Sequence, residues 1–176
     1  IQTIMQKLNQ QPDICPYFSP EFKVIPQYII MKEGECMELN NRTTSFFIFI
    51  LSGEITISFE QYTNRSVLEN EMFFLPKNNC FKWKAVTQTV LILTGYNATI
   101  FPCTSVRARI LYKIKAGVKF DCRGVVMKDE VKVVVNQMKH YLDSGINCHH
   151  MYILKHKELY LMFKHFYTYE EIIQIF

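Results

Sequence analysis

All five histidines of this 176-residue chain, His140, His149, His150, His156 and His165, lie in its last quarter, and none occurs through Lys139. Imidazole is the commonest general base near neutral pH and a frequent ligand of zinc and iron. The chain up to Lys139 therefore holds no histidine base and no histidine metal ligand. Sulfur and nitrogen donors adjoin at Cys148-His149-His150. That triplet stands at the expected start of a helix, where a thiolate is favoured, so a small metal site or a reactive thiol is one reading. Successive helical residues point in different directions, and the plainer reading is polar residues at a solvated helix end. The carboxylates Glu35, Glu38 and Glu54 have no partner at a spacing that would mark a general acid and base. No catalytic residue and no cofactor is expected.

A second signal is one of spacing. From Gly34 the chain runs to Asn40, Arg42, Phe46 and Gly53, and from Asn70 to Pro76, Asn78, Phe81 and Ala85. This resembles the two cupin motifs, G-x5-H-x-H-x3-E-x6-G and G-x5-P-x-G-x2-H-x3-N, in which three His and a Glu hold a transition metal inside a jelly-roll barrel. The resemblance puts Asn40, Arg42, Phe46 and Phe81 at the four ligand positions. Such metals need imidazole, thiolate or carboxylate donors converging on one point, so no metal is expected. What remains is a cavity that binds, or a barrel filled by its own side chains. Any effector, a sugar or a small acid, is expected to meet Asn40 and Arg42 through polar groups and to pack on Phe46, Phe81 and Trp83. The motif spacing places all five on the inner face.

The elements that would carry these residues show in the apolar periodicity. Up to about Asn97 it has period two and is cut by turn residues, which predicts many short antiparallel strands. Val24 to Met31, Ser45 to Leu51, Ile55 to Phe59, Met72 to Leu75, Phe81 to Ala85 and Thr89 to Thr94 read as strands, and Tyr62 to Arg65 as a hairpin. Ser45 to Leu51 is almost continuously apolar, as befits a central strand. Phe46, Ile48 and Ile50 should point inward, as should Phe81, Trp83 and Ala85, with Lys82 and Lys84 in water. The expected fold is mainly β with α, a cupin-like jelly-roll (double-stranded β-helix) barrel followed by a C-terminal helical pair.

After residue 127 the period lengthens. Val131, Val134, Val135, Met138 and Leu142 form one helical stripe, from near Asp129 to a cap at Gly145. A second helix follows from about Cys148, apolar on more than one face, so it must pack on the barrel, on its neighbour and on another subunit. Thr168 and Glu171 form a capping box that opens a further short helix.

Composition narrows the class of protein. The formal net charge of +4 is spread along the chain without a basic block, so charge by itself predicts no nucleic-acid contact. Six cysteines without a C-x-x-C pair favour free thiols in a reducing compartment. The sequons at Asn41, Asn64 and Asn97 carry no meaning there. No stretch approaches the roughly 18 apolar residues of a membrane helix, and no signal peptide is visible. A cytoplasmic protein without membrane contact is expected.

Phe73-Phe74-Leu75-Pro76, Trp83-Lys84-Ala85, Leu91-Ile92-Leu93, the run Tyr141 to Cys148 and Lys155-His156-Lys157-Glu158-Leu159 resemble the sensor half of AraC-type bacterial transcription regulators, especially those of Bacteroides and relatives. The resemblance implies a cupin-like sensor barrel over residues 1–115 and a helical dimerisation segment over residues 116–176. It also implies a C-terminal helix-turn-helix domain that this sequence does not include and that alone would bind DNA. The chain, which opens at Ile1 rather than Met, is expected to have lost a small N-terminal piece and to be cut at Phe176. A homodimer is expected on Val135, Met138, Leu142, Leu159, Met162, Phe163 and Phe166. The alternatives are a metal-free cupin that binds a sugar or small acid without a DNA-binding partner domain, and a cupin enzyme.

Overall fold

The structure, a computed structural model, describes residues 25–59, 62–96 and 123–175. The boundary near residue 115, the strand start at Val24, the Asn97 sequon and the terminal Phe176 lie outside the described residues. The strands are β1 (Gln27–Met31), β2 (Cys36–Asn41), β3 (Ser45–Ser52), β4 (Glu54–Phe59), β5 (Tyr62–Leu68), β6 (Glu71–Leu75), β7 (Asn79–Ala85), β8 (Thr89–Tyr96) and β9 (Val125–Val126). The helices are α1 (Asp129–Asp143), α2 (His149–Phe166) and α3 (Tyr169–Ile175).

The strands pair antiparallel into two sheets, β1-β8-β3-β6-β9 and β2-β7-β4-β5. This is a jelly-roll sandwich with C-terminal helices. Tyr62 to Arg65 belongs to the strand β5 rather than to a hairpin turn. Its turn-like signal comes from Asn64, which adopts a φ of +49° beside a register shift between Ile57 and Phe59. Gly53, at the β3–β4 turn, has a φ of +86°, and a Cβ there would strike the Gln88 carbonyl and Thr89. Only glycine meets both demands without strain.

The interior of the sandwich follows from alternation. Ile48 and Ile50 of β3, Phe73 and Leu75 of β6, Leu91 and Leu93 of β8, Ile55, Ile57 and Phe59 of β4, and Phe81, Trp83 and Ala85 of β7 form one buried cluster. Lys82 and Lys84 face water.

The alternate residues of the first sheet make a second apolar face. Phe47, Phe49, Met72, Phe74 and Ile92 are buried with Val131, Val134, Val135 and Met138 of α1 and Tyr152, Leu159, Tyr160 and Phe163 of α2. The apolar run of β3 is thus buried on both sides, as in any strand sandwiched between layers. Both helices spend their main stripe on this sheet. Gly145, at a φ of +71°, ends α1, and Ile146 N–H reaches back to the Tyr141 carbonyl at 2.9 Å.

The capping box is formed as read. Glu171 N–H donates to Thr168 Oγ1 at 3.2 Å, and Thr168 N–H to Glu171 Oε2 at 2.8 Å. Seven residues cannot hold a helix unaided. α3 is kept by Ile172 and Ile175, buried in the helix–sheet layer, and by a 3.0 Å ion pair between Glu171 and Lys128.

Candidate functional site

β2 and β7 carry the residues that the motif spacing singles out. Leu39 stands opposite Phe81, and Met37 opposite Trp83. These pairs face inward, so on β2 the inward residues are Met37, Leu39 and Asn41. Asn40 and Arg42 are exposed. The expectation that both line the inner face with Phe46, Phe81 and Trp83 is therefore corrected. Side chains alternate along a strand, and a displacement of one residue sends each to the opposite face. Counting from Gly34 gives the interval but not the parity of the strand that follows.

Phe81 and Trp83 are buried in the sandwich, and Phe46 is half-buried against the same cluster. The space around Phe81 is aromatic: its ring lies 4.6 Å from that of Phe59, which in turn meets Tyr62 at 5.2 Å and Phe73 at 6.3 Å. Trp83 Nε1 and Asn41 Oδ1 are buried without hydrogen-bond partners. The Asn41 amide is anchored by its nitrogen, which donates to the Pro76 carbonyl at 2.8 Å and more weakly to that of Leu75. Sequence reasoning missed Asn41. Its signal was its place two residues beyond Leu39 on an alternating strand.

The outer face of the second sheet is polar. There Cys80 donates to Glu38 at 3.1 Å, and this hydrogen bond to a carboxylate raises the thiol above its ordinary pKa, with lesser upward pushes from burial and the Glu38 charge. A raised thiol is a poor nucleophile at neutral pH. Among the described residues no group of three His, Cys, Asp or Glu is arranged to hold a metal.

The residues expected at a dimer interface are mostly occupied within the chain. Val135, Met138, Leu159 and Phe163 are buried, Leu142 and Met162 half-buried, and Phe166 alone is exposed. The reason is the apolar outer face of the first sheet, where Phe163 meets Phe47 at 5.7 Å. The apolar side chains left outside on the helices are Val133 (55% exposed), Leu154 (63%), Leu161 (43%) and Phe166 (44%).

The reading of Cys148-His149-His150 as a solvated helix end also needs correction. His150 is exposed, but His149 is buried, as is His156 two turns later on the same face of α2. His156 Nε2 and Thr94 Oγ1 share a 2.8 Å hydrogen bond between α2 and β8, while His156 Nδ1 has no partner. Burial, reinforced by His149, lowers the His156 pKa to about 4. Burial and then the charge of His150 lower that of His149. The seven-residue spacing of the two imidazoles, in phase with Tyr152, Leu159 and Phe163, is the signal that was available.

Fold and site together define a jelly-roll sandwich with an apolar interior, carrying a helical layer on one sheet. No family model matches the chain, and no curated protein matches it. Among solved structures it is similar to the cupin domain of Schizosaccharomyces pombe Cnp3, at 19% identity and a TM-score of 0.41 over 47% of this chain and 59% of that one. It is also similar to the Drosophila melanogaster CENP-C cupin domain, at 10% identity and a TM-score of 0.38 over 41% of this chain and 56% of that one. A cupin superfamily protein of Desulfitobacterium hafniense gives 16% identity and a TM-score of 0.37 over 41% and 66%. In each case the match spans less than two thirds of the neighbour's length. An enzyme, Bacillus subtilis oxalate decarboxylase, stands beside these at 15% identity and a TM-score of 0.36, over 42% of this chain and 21% of that one. Such likenesses concern the fold and carry nothing about activity. No helix of the described residues is long and apolar enough to cross a membrane.

Proposed function

We propose that the chain is the regulatory and dimerising part of an AraC-type transcription regulator, with DNA binding carried by a domain beyond this sequence. The observation that carries the reading is the helical hairpin. It is docked on the sandwich by its main stripes and still presents Val133, Leu154, Leu161 and Phe166 to solvent. Exposed apolar side chains gathered on one pair of helices favour association with a second copy. The interface is therefore assigned to these residues, with Met162 at its edge, in place of the inner stripe. The reading is non-enzymatic: on the inner face Phe46 and Phe81 offer no metal donor, and Asn40 and Arg42 are turned to the outside.

A specific observation favours a second reading, a metal-free cupin that binds a small molecule. Trp83 Nε1 and Asn41 Oδ1 are a donor and an acceptor left unpaired inside the sandwich. Buried polar atoms of this kind ordinarily have a partner. A hydroxyl-bearing ligand such as a sugar would supply a partner to either atom, the two standing four residue pairs apart on the β2–β7 ladder, and a small acid would draw on Arg42 at the rim.

The test is sedimentation equilibrium of the chain at micromolar concentration. The unmutated chain should be a dimer and Leu154→Glu/Leu161→Glu a folded monomer. A monomeric unmutated chain ends the dimerisation reading. Thermal-shift screening of sugars and small acids, on the unmutated chain and on Arg42→Ala, tests the second reading separately.

A further inference from the structure

The buried polar and charged side chains among the described residues are Asn41, Thr89, Thr94, His149 and His156. The two that can change charge both lie between α2 and the first sheet. None lies in the interior cluster of the sandwich, which is built of aliphatic and aromatic side chains and methionine. The molecule thus confines its buried imidazoles to one layer.

That layer offers an added proton little compensation. On α2 the titratable neighbours of His156 are His149, Tyr152 and Tyr160, the last with its ring 6.5 Å away. β8 presents Thr94, and two residues further Tyr96, whose ring meets Tyr160 at 5.9 Å. From β1 comes Tyr28, which has the Lys139 ammonium of α1 5.2 Å from its ring, and from α1 comes Tyr141, with the Lys155 ammonium at 5.9 Å. His150 adds a nearby imidazole to His149. Among the described residues the carboxylates nearby, Asp143 and Glu158, are engaged by Lys139 at 2.6 Å and Lys155 at 2.7 Å, and the other neighbours are phenols and imidazoles, none of which stabilises an imidazolium as a free carboxylate would. His156 Nε2 is engaged with Thr94 and its Nδ1 faces no partner, so a second N–H would be left unsatisfied in an apolar layer.

We propose that the buried imidazole of His156 makes the helical hairpin an acid-releasable cover. Proton uptake at the junction of α2 with β8 undocks α1 and α2 from the first sheet while the sandwich stays folded. Release bares Phe47, Phe49, Phe74 and Ile92, the apolar outer face that the hairpin covers at neutral pH. A histidine whose charged form is disfavoured in the docked state supports docking fully above its free pKa. That support is lost as pH falls from 6.5 toward about 4, and His156 on its own shifts the docking equilibrium by up to about 300-fold over this range.

The sole tryptophan, Trp83, sits inside the sandwich and reports on it independently of the helices. The experiment follows Trp83 emission and hydrogen-exchange protection of the full chain from pH 7.5 to 4, with exchange corrected for its intrinsic pH dependence. Protection of α1 and α2 should fall below pH 6.5 while Trp83 emission stays that of a buried indole. His156→Leu, and His156→Gln should the leucine variant not fold, should keep the hairpin protected to a lower pH. The proposal is overturned if emission and helix protection change together at one pH, or if the variants release at the pH of the unmutated chain. An NMR titration placing His156 near pH 6.5 in the docked protein overturns it as well.

Discussion

The sandwich interior and the helix–sheet layer bury similar side chains and differ in how they join them. Within the sandwich Trp83, Phe81 and the isoleucines of β3 and β4 sit on strands held in two hydrogen-bonded sheets, and among the described residues no buried group there is ionisable. The helix–sheet layer has no shared backbone ladder. It is fastened by aromatic contacts such as Phe47–Phe163 at 5.7 Å and by single polar links, His156 to Thr94 and Tyr167 to the β9–α1 joint. A sheet fixes its side chains through the backbone. A docked helix depends on what its side chains meet, and so on their charge. Among the described residues the first region buries no ionisable side chain, and the second buries two imidazoles.

The contrast is tested most severely by Trp83→Ala, which leaves a large void in the sandwich and should cost roughly 3–5 kcal/mol. Because the helices dock on a sheet of that sandwich, a single transition in denaturant should report the loss of both regions. Separate transitions would show that the helical layer stands on its own.

Lowering the pH should act on the helical layer alone. The depressed His156 pKa gives stability that is complete above pH 6.5 and declines by about 3 kcal/mol as pH falls toward 4, with no further loss below. Stability curves between pH 4 and 8 check both the direction and the window.

Gly53→Ala tests the sandwich through its backbone. With φ at +86° and the Gln88 carbonyl in the way, the substitution should cost about 2 kcal/mol, read as a lower urea midpoint.

Tyr167→Phe should cost about 1–2 kcal/mol. It removes a hydroxyl that accepts from Lys128 N–H at 2.7 Å and donates to the Val126 carbonyl at 3.1 Å. Burial pushes this phenol up to about 12 against the opposing hydrogen bond from Lys128, so the link persists across ordinary pH. Loss of hydrogen-exchange protection confined to α3 and the β9–α1 joint is the expected signature. The smallest effect belongs to Leu154→Ser, which should change thermal stability of the isolated protomer by less than about 0.5 kcal/mol. A larger change would mean that Leu154 is covered.

Much of this architecture was legible because strand and helix impose periods on the sequence. Phe81, Trp83 and Ala85 alternate with Lys82 and Lys84, and the structure buries the first set and exposes the lysines. The capping box at Thr168 and Glu171 is a local arrangement within one turn, so it is readable without knowing the fold. Asn40 and Arg42 were misplaced for a reason that is not local. The count from Gly34 gives how far along β2 each residue lies, but the face it takes is set by the pairing of β2 with β7, which turns Met37, Leu39 and Asn41 inward and leaves Asn40 outside.

The amino-acid sequence by itself marked the strands β1, β3, β4, β6, β7 and β8 and the three helices, though not β2, β5 or β9, and it determined that the chain up to Lys139 has no histidine. Those properties depend on residue type and on neighbours a few positions away. Only the tertiary structure decided where the apolar stripes of α1 and α2 are used. Val135, Met138, Leu159 and Phe163 would suit a partner subunit as well as a sheet, because the hydrophobic effect has no preference of direction. It was the second apolar face of β3, β6 and β8, brought together from distant parts of the chain, that claimed them and enclosed His149 and His156 with them.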